Sequence, residues 1–208
     1  DDFGVRKVGV WHTLQGYWQG VVTEGGFAER YRTEEVPSPS DFFEHWPEQF
    51  GPESRGFLRP EDVYRWYQDF YSYLRDQDID MVKVDNQNML PFFVPQDLGE
   101  VATMGAYQRA LQGAAETHFQ GNLINCMSNS NDVAFHLSAS AVWRNSDDFY
   151  PRKAASHQAD HIYVNALNNL WSSAFVWPDW DMFQTTHEHA EFHAMARAVS
   201  GGPVYVSD

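Results

Sequence analysis

Carboxylate side chains end several short apolar runs of this chain. Asp85 ends the run Met-Val-Lys-Val-Asp. The pair Asp147 and Asp148 follows a second run, and Asp179 and Asp181 follow a third. In a (β/α) barrel the carboxyl ends of successive parallel strands meet on one face, and enzymes of that fold build their sites there. The pattern therefore predicts an enzyme whose chemistry is done by acids.

Lys83 and Asp85 stand two residues apart in the first of these runs. On a strand, such residues point to the same side, so an ammonium group and a carboxylate share one face. The cation favours the ionised carboxylate, and an ionised carboxylate can act as the nucleophile at an anomeric carbon. A buried Lys–Asp pair that only stabilises the strand would give the same pattern, and the spacing alone leaves both interpretations open.

Asp147 and Asp148 lie in the segment Arg144-Asn145-Ser146-Asp147-Asp148. Two adjacent carboxylates repel, which favours the protonated form of one of them, and a general acid needs that form. Arg144 can hold a substrate hydroxyl or orient an acid. An exposed turn without a catalytic role has a similar composition, so that interpretation stays open. With Asp85 as a partner, glycosyl transfer is the better interpretation, since it needs one nucleophile and one acid/base.

Asp179 and Asp181 flank Trp180 and again place two acids on one side of a strand. They can bind sugar hydroxyls, orient another acid, or cap the helix that follows. We expect a binding or structural role rather than a catalytic one.

The histidines from His187 to His193 suggest a metal site as an alternative. His189 and His193 have the i, i+4 spacing of two zinc ligands on a helix, but a third ligand is not evident and the segment lacks H-E-x-x-H. We therefore expect neither a metal nor a cofactor. The single cysteine, Cys126, lies in an apolar strand and is expected to be a core residue.

Composition limits the choice of partners. The chain has 14 Lys and Arg against 29 Asp and Glu, a net charge of −15 that repels phosphate backbones, so nucleic acid is not an expected partner. Aromatic residues make up 16% of the chain, and their position beside acidic strand ends is typical of sugar-binding clefts, although aromatic residues also fill cores. No apolar stretch approaches the ~20 residues that span a bilayer, so a membrane is not an expected partner. With one cysteine an internal disulfide is excluded, which fits a reducing compartment and a cytoplasmic location.

The remaining pattern alternates predicted strands and helices. Strands are predicted at residues 7–12, 80–85, 122–127, around Trp143, at 175–177 and at 204–206. Helices are predicted from Pro60, at 98–119, at 153–171 and at 188–199, and a long excursion runs from Leu14 to Arg59. The predicted inner face of the first helix comprises Val63, Trp66, Tyr67, Phe70, Tyr71 and Leu74, and that of the second comprises Val101, Met104, Tyr107, Leu111 and Ala115.

These elements predict an α/β fold with a parallel sheet covered by helices. A (β/α)8 TIM barrel is favoured over an open doubly wound sheet, because no Gly-rich phosphate loop follows a strand and acidic or polar residues end nearly all of them. About six strands do not close an eight-stranded barrel. Because the chain also lacks an initiator Met and stops after an apolar run, we expect a piece of a longer protein, with the missing strands before Asp1.

Several motifs resemble the raffinose synthase and seed imbibition protein group of glycoside hydrolase family 36, in the α-galactosidase clan. They are Val10-Trp11-His12, Gly16-Tyr17-Trp18, Val82-Lys83-Val84-Asp85-Asn86-Gln87, Asp179-Trp180-Asp181-Met182-Phe183 and the last nine residues, from Ser200 to Asp208. The resemblance covers essentially the whole chain. It implies that residues 1–208 are the third to eighth strands of a catalytic barrel, in a multidomain protein with a β-rich domain on each side.

The resemblance also implies a retaining mechanism in which Asp85 is the nucleophile and Asp147 or Asp148 is the acid/base. The expected substrate-binding residues are Trp11, His12, Lys83, Arg144, Trp177, Asp179, Trp180 and Asp181. The donor would be an α-galactoside or galactinol, and the acceptor would be sucrose or water. Two rivals are a catalytically silent carbohydrate-binding relative and a metal-dependent hydrolase that uses the His187–His193 segment.

Overall fold

The structure is a computed structural model that describes residues 4–38 and 54–208. The chain divides into two compact units, Asp1–Ser140 and Ala141–Asp208.

The first unit contains a parallel sheet, an antiparallel ribbon and most of the helices. Its parallel strands are β1 (Gly9–Thr13), β4 (Met81–Asp85) and β5 (Leu123–Asn125), and its ribbon pairs β2 (Thr33–Pro37) with β3 (Ser54–Leu58). Its helices are α1 (Gly25–Arg30), α2 (Pro60–Asp76), a 3₁₀ helix (Gln87–Phe93), α3 (Glu100–Phe119) and α4 (Asn131–Ala134). The predicted excursion from Leu14 to Arg59 thus contains α1 and the ribbon, and its residues 39–53 lie outside the described residues.

Helix α2 begins where its sequence predicts. Pro60 fixes the backbone of the first turn, and Glu61 and Asp62 favour the positive end of the helix dipole. The predicted inner face is buried except for Phe70, which is half-buried.

Helix α3 confirms four of the five positions predicted for its inner stripe. Met104, Tyr107, Leu111 and Ala115 are buried, whereas Val101, in the first turn, is 75% exposed. The prediction for Val101 was wrong, because helical spacing sets the direction of a side chain but does not supply the packing partner that would cover it.

The second unit contains two parallel strands and two helices. They are β6 (Val142–Arg144), α5 (Ala155–Ser172), β7 (Trp177–Asp179) and α6 (Ala190–Ala198). Strand β7 begins two residues later than predicted, because the backbone N–H groups of Phe175 and Val176 still donate to Ser172 O at the end of α5. The strand predicted at 204–206 is reduced to one parallel bridge between Phe183 and Val206.

In both units helices connect parallel strands, which is the α/β arrangement that the sequence predicted. The register aligns Thr13 with Asp85 in the first unit and Arg144 with Asp179 in the second. Polar residues therefore sit at the carboxyl ends of neighbouring strands within each unit. None of the helices in the described part of the chain is long and apolar enough to cross a membrane.

Candidate active site

Asp85 is the last residue of β4, and its carboxylate is held by two donors. Its Oδ1 accepts from the backbone N–H of Asn86 at 2.6 Å, and its Oδ2 accepts from the indole Nε1–H of Trp11 at 3.3 Å. Asn86 takes a left-handed backbone conformation (φ 61°), which ends the strand immediately after the carboxylate. The two donors orient the Asp85 carboxylate.

Alternation along β1 and β4 decides which side chains lie on the side of Asp85. In the parallel register, Trp11 aligns with Lys83 and Thr13 aligns with Asp85, so these four residues share one side. Lys83 is half-buried there. The structure therefore brings three of the predicted residues together: Trp11, Lys83 and Asp85.

His12 points to the opposite side of β1 and does not join this group. Its ring is buried against α2, where Nδ1 donates to Thr13 O (2.8 Å) and Nε2 accepts from the Tyr71 hydroxyl (2.9 Å). Burial lowers the pKa of His12 to about 4, so the ring is neutral at physiological pH. This geometry places His12 in the core rather than in a sugar site.

A buried amide network that sequence reasoning missed supports the ends of β4 and β5. Gln87 Nε2 donates to Val84 O (3.0 Å) and to Asn125 Oδ1 (3.1 Å), and Gln108 Nε2 donates to Gln87 Oε1 (2.9 Å). Amides within apolar runs are a sequence signal for such a network, since buried polar groups need partners. The network stabilises the backbone next to Asp85.

In the second unit the candidate site is centred on Arg144, the last residue of β6. Its guanidinium is nearly fully buried and donates from Nη2 to Asp148 Oδ1 (2.9 Å) and from Nη1 to Asp181 Oδ1 (3.1 Å). Asp148 is exposed on its other side. Arg144 thus connects the exposed candidate acid to a buried carboxylate.

Asp179 is the last residue of β7 and Asp181 follows it by two residues, and both are buried. The Tyr205 hydroxyl lies between them, 2.9 Å from Asp179 Oδ2 and 3.2 Å from Asp181 Oδ1. Two backbone groups also donate to the pair: Asp181 N to Asp179 Oδ1 and Phe149 N to Asp181 Oδ2, each at 2.8 Å. Burial raises the pKa of Asp179 and that of Tyr205. Sequence reasoning missed Tyr205, because it interpreted the run around it only as a strand.

Asp147 is exposed and makes local contacts. Its Oδ1 accepts from the backbone N–H of Asp148 at 2.8 Å and from the Tyr150 hydroxyl at 3.4 Å. Partial burial, together with the negative charge of Asp147, raises the pKa of Tyr150 to about 12. Asp147 thus resembles a turn residue, whereas Asp148 belongs to the Arg144 cluster.

Neither of the tryptophans predicted to bind substrate in the second unit, Trp177 and Trp180, joins the Arg144 cluster. Trp177 is the first residue of β7, at its amino end, and is exposed. Trp180 is buried on the side of α5, where its indole N–H donates to Asn169 Oδ1 (2.8 Å).

Arg197, another residue that sequence reasoning missed, is buried behind β7. It donates to the backbone carbonyls of Trp180 (2.9 Å), Asp181 (2.9 Å) and Met182 (3.1 Å). Asp181 has a left-handed backbone (φ 65°), a conformation that a non-glycine residue adopts only where its surroundings hold it. Arg197 supplies that support from α6.

Of the histidines that suggested a metal site, His193 lies in the same buried layer, whereas His187 and His189 are half-buried. His193 Nδ1 accepts from Arg197 Nη1 (2.9 Å), and its Nε2 donates to Gln158 Oε1 (3.0 Å). Burial and the Arg197 charge lower the pKa of His193 to about 3. Within residues 4–38 and 54–208, no group of three or more His, Cys, Asp or Glu side chains is arranged to hold a metal ion.

The family model and the similar proteins point to the same family. The family model described as "Raffinose synthase or seed imbibition protein Sip1" matches residues 1–208. The chain is 39% identical to the "Probable galactinol–sucrose galactosyltransferase 1" of Arabidopsis thaliana, over 98% of this chain and 28% of that protein. It is 37% identical to the galactinol–sucrose galactosyltransferase of Pisum sativum, over 98% of this chain and 27% of that protein. The chain therefore spans about a quarter of the length of these relatives.

Among solved structures, the chain resembles an α-galactosidase from Thermus thermophilus in complex with stachyose. The TM-score is 0.55 at 18% identity, over 83% of this chain and 44% of that one. At this identity the likeness shows the fold alone, and it confirms the predicted α/β class of the (β/α)8 TIM-barrel type.

Proposed function

Because the chain belongs to the raffinose synthase or seed imbibition protein family, we propose that it forms part of the catalytic barrel of a retaining galactosyl-transferring enzyme. The donor is galactinol or another α-galactoside, and the acceptor is sucrose, with water as the alternative acceptor. We also propose that residues 1–208 supply the third to eighth barrel strands of a longer protein with a β-rich domain on each side. The observation that carries the proposal is a carboxylate at the end of β4, oriented by an indole, together with an Arg-linked acid beyond β6.

Asp85 is the nucleophile in this proposal. Its oxygen bonds to the anomeric carbon while the bond from that carbon to the leaving oxygen breaks, giving a covalent galactosyl-enzyme. The contacts from Trp11 and Asn86 support this role, because they hold the carboxylate in a defined orientation before the donor binds. Lys83, on the same side of β4, is placed to bind a sugar hydroxyl.

Asp148 is the acid/base rather than Asp147. In the first step it gives its proton to the leaving oxygen, and in the second it takes the proton of the acceptor hydroxyl as the bond to Asp85 breaks. Its side chain is 62% exposed, so a substrate can reach it, and Arg144 orients it. Asp147 instead caps the backbone of Asp148.

Asp179 and Asp181 are positioning residues in this proposal. Both are buried, and Asp181 holds the guanidinium that orients Asp148, so their contribution to substrate binding is indirect. Trp11 is the aromatic residue placed to contact the galactosyl ring, because it lies against the nucleophile.

Product analysis of the full-length enzyme tests the proposal. With galactinol and sucrose we expect raffinose, and with galactinol alone we expect slow release of galactose. An Asp85→Asn variant should be inactive. An Asp85→Gly variant given azide and an activated α-galactoside should form β-galactosyl azide, because azide attacks from the side that Asp85 vacates. A full-length protein that binds galactinol but converts none of it would instead fit a catalytically silent relative.

A further inference from the structure

We infer that the side chain of Tyr17, which contacts Trp11, is a packing surface (the platform) for a substrate ring. This is the ring on the other side of the scissile bond from the galactosyl group. That ring belongs to the leaving group in the first step and to the acceptor in the second. The inference rests on the proposed function, because it names what the ring next to the galactosyl group touches.

The position of Tyr17 follows from its contact with Trp11. The indole N–H of Trp11 contacts the Asp85 carboxylate, so this ring lies where the reacting carbon of the sugar must come. The Tyr17 ring meets Trp11 edge to face, with centroids 5.8 Å apart and an interplanar angle of 87°. Tyr17 is also 57% exposed, so a second ring can pack against it.

The loop that carries Tyr17 follows β1 and is hydrogen-bonded at the same end of the sheet as Asp85. The backbone carbonyl of Tyr17 accepts from Thr13 Oγ1 (2.8 Å) and from Gly20 N (2.9 Å). Leu14 N donates to the backbone carbonyl of Asp85 (2.8 Å), which joins the loop directly to the strand of the nucleophile. A preorganised ring binds without first losing its own conformational freedom.

The chemistry of Tyr17 suits a sugar or a cyclitol. Such rings present a face of C–H groups and a rim of hydroxyls, and a tyrosine offers a flat apolar face with one hydroxyl for hydrogen bonding. Sucrose and the inositol ring of galactinol share this chemistry, so one platform serves both steps.

The test compares two donors in the full-length enzyme. α-Galactosyl fluoride has a leaving group too small to touch a platform, and fluoride leaves without a proton, so galactosyl transfer to Asp85 does not require Tyr17. Galactinol has a polyol leaving group that is large enough to touch the platform, so its transfer should depend on Tyr17. The variants are Tyr17→Ala, which removes the ring, Tyr17→Phe, which keeps it, and Tyr64→Ala, a matched control because Tyr64 is equally exposed on α2.

Tyr17→Ala should lower kcat/KM for galactinol about tenfold and raise the half-saturating sucrose concentration about tenfold. Fluoride release from α-galactosyl fluoride without sucrose should stay within about twofold of the parent enzyme, and Tyr64→Ala should match the parent with both donors. Tyr17→Phe, which keeps the ring and loses only the hydroxyl, should lose less activity with galactinol than Tyr17→Ala does.

Two results overturn the inference. If Tyr17→Ala equals the parent enzyme with both donors, the ring touches neither group. If it loses activity equally with both donors, Tyr17 acts on the galactosyl ring or on folding. A parent enzyme that turns over neither donor overturns the proposed function, whereas an active parent with unaffected Tyr17 variants overturns only this inference.

Discussion

Arg144 Nη1 lies 3.1 Å from Asp181 Oδ1, and the two side chains are only 3% and 2% exposed. Arg144 is the last residue of β6, and Asp181 lies two residues after the end of the neighbouring parallel strand β7; the other terminal guanidinium nitrogen of Arg144 contacts Asp148. The buried pair therefore controls the orientation of the exposed acid. Loss of one partner removes the buried countercharge of the other, which costs more than the pair contributes when intact.

The two buried acids of β7 should respond differently to neutralisation. Asp181→Asn breaks the pair with Arg144 and should cost about 3 kcal/mol of unfolding free energy. Asp179→Asn should cost less unfolding free energy. Burial raises the pKa of Asp179 above the ordinary pKa of an aspartate, so the charged form of Asp179 reduces the stability of the folded state once the pH exceeds that ordinary pKa. The amide can also accept from Asp181 N and donate to Tyr205.

Denaturant unfolding at pH 7 measures the two losses of unfolding free energy. It is done on the full-length variants, in the unfolding transition that includes residues 1–208. Equal destabilisation by both changes would contradict it, since it would mean that the charge of Asp179 stabilises the site as much as that of Asp181.

Removal of the acid/base should depend on the leaving group. Asp148→Ala should reduce turnover of galactinol by about 10²- to 10⁴-fold, because the leaving oxygen then lacks a proton donor. Turnover of α-galactosyl fluoride to the galactosyl-enzyme should fall far less, and Asp147→Ala is the matched control. Values of kcat/KM for each donor, which report the step that forms the galactosyl-enzyme, measure these effects. A leaving-group-dependent loss in Asp147→Ala and not in Asp148→Ala would move the role to Asp147.

The turn that places Tyr17 should not tolerate a side chain at Gly20. A Cβ there would overlap the carbonyl oxygen of Gly56, and the backbone is left-handed (φ 79°). Gly20→Ala should therefore lower the thermal midpoint by several degrees and raise the half-saturating sucrose concentration. Gly26→Ala, where nothing lies within 4 Å of the added Cβ, is the control and should be neutral. A Gly20→Ala enzyme with parent-like stability would show that the turn can shift.

Acidification should weaken the packing of α2 on β1. Burial lowers the pKa of His12 to about 4, below its ordinary value of 6.5, so the unfolded state binds more protons between these values. Stability contributed by the neutral ring is thus present above pH 6.5 and decreases as the pH falls toward 4.

Hydrogen exchange of peptides covering Pro60–Asp76 in the full-length protein, corrected for intrinsic rates, can test this at pH 7 and pH 5. Protection should fall with pH in the parent protein and fall less in His12→Gln, which has no ring to titrate. If protection falls equally with pH in both proteins, titratable groups other than His12 cause the loss of protection.

The sequence by itself determined the long helices, most of the parallel strands and the carboxylates at the strand ends, whereas α1, the ribbon and the loss of the strand at 204–206 were not predicted. Helical spacing predicted the buried face of α2, and apolar runs ending in acids predicted parallel strands whose carboxyl ends carry Asp85 and Asp179. These features follow from local geometry, since the direction of a side chain depends on residues two to four positions away.

Only the tertiary structure decided which of these residues act together. Alternation separates Trp11 from His12, but the packing of α2 decided that His12 is the buried one. The contacts of Tyr205 with both acids of β7, and of Arg197 with the backbone of Asp181, join residues far apart in the chain. Such contacts depend on the path of the chain between them, and no local spacing encodes that path.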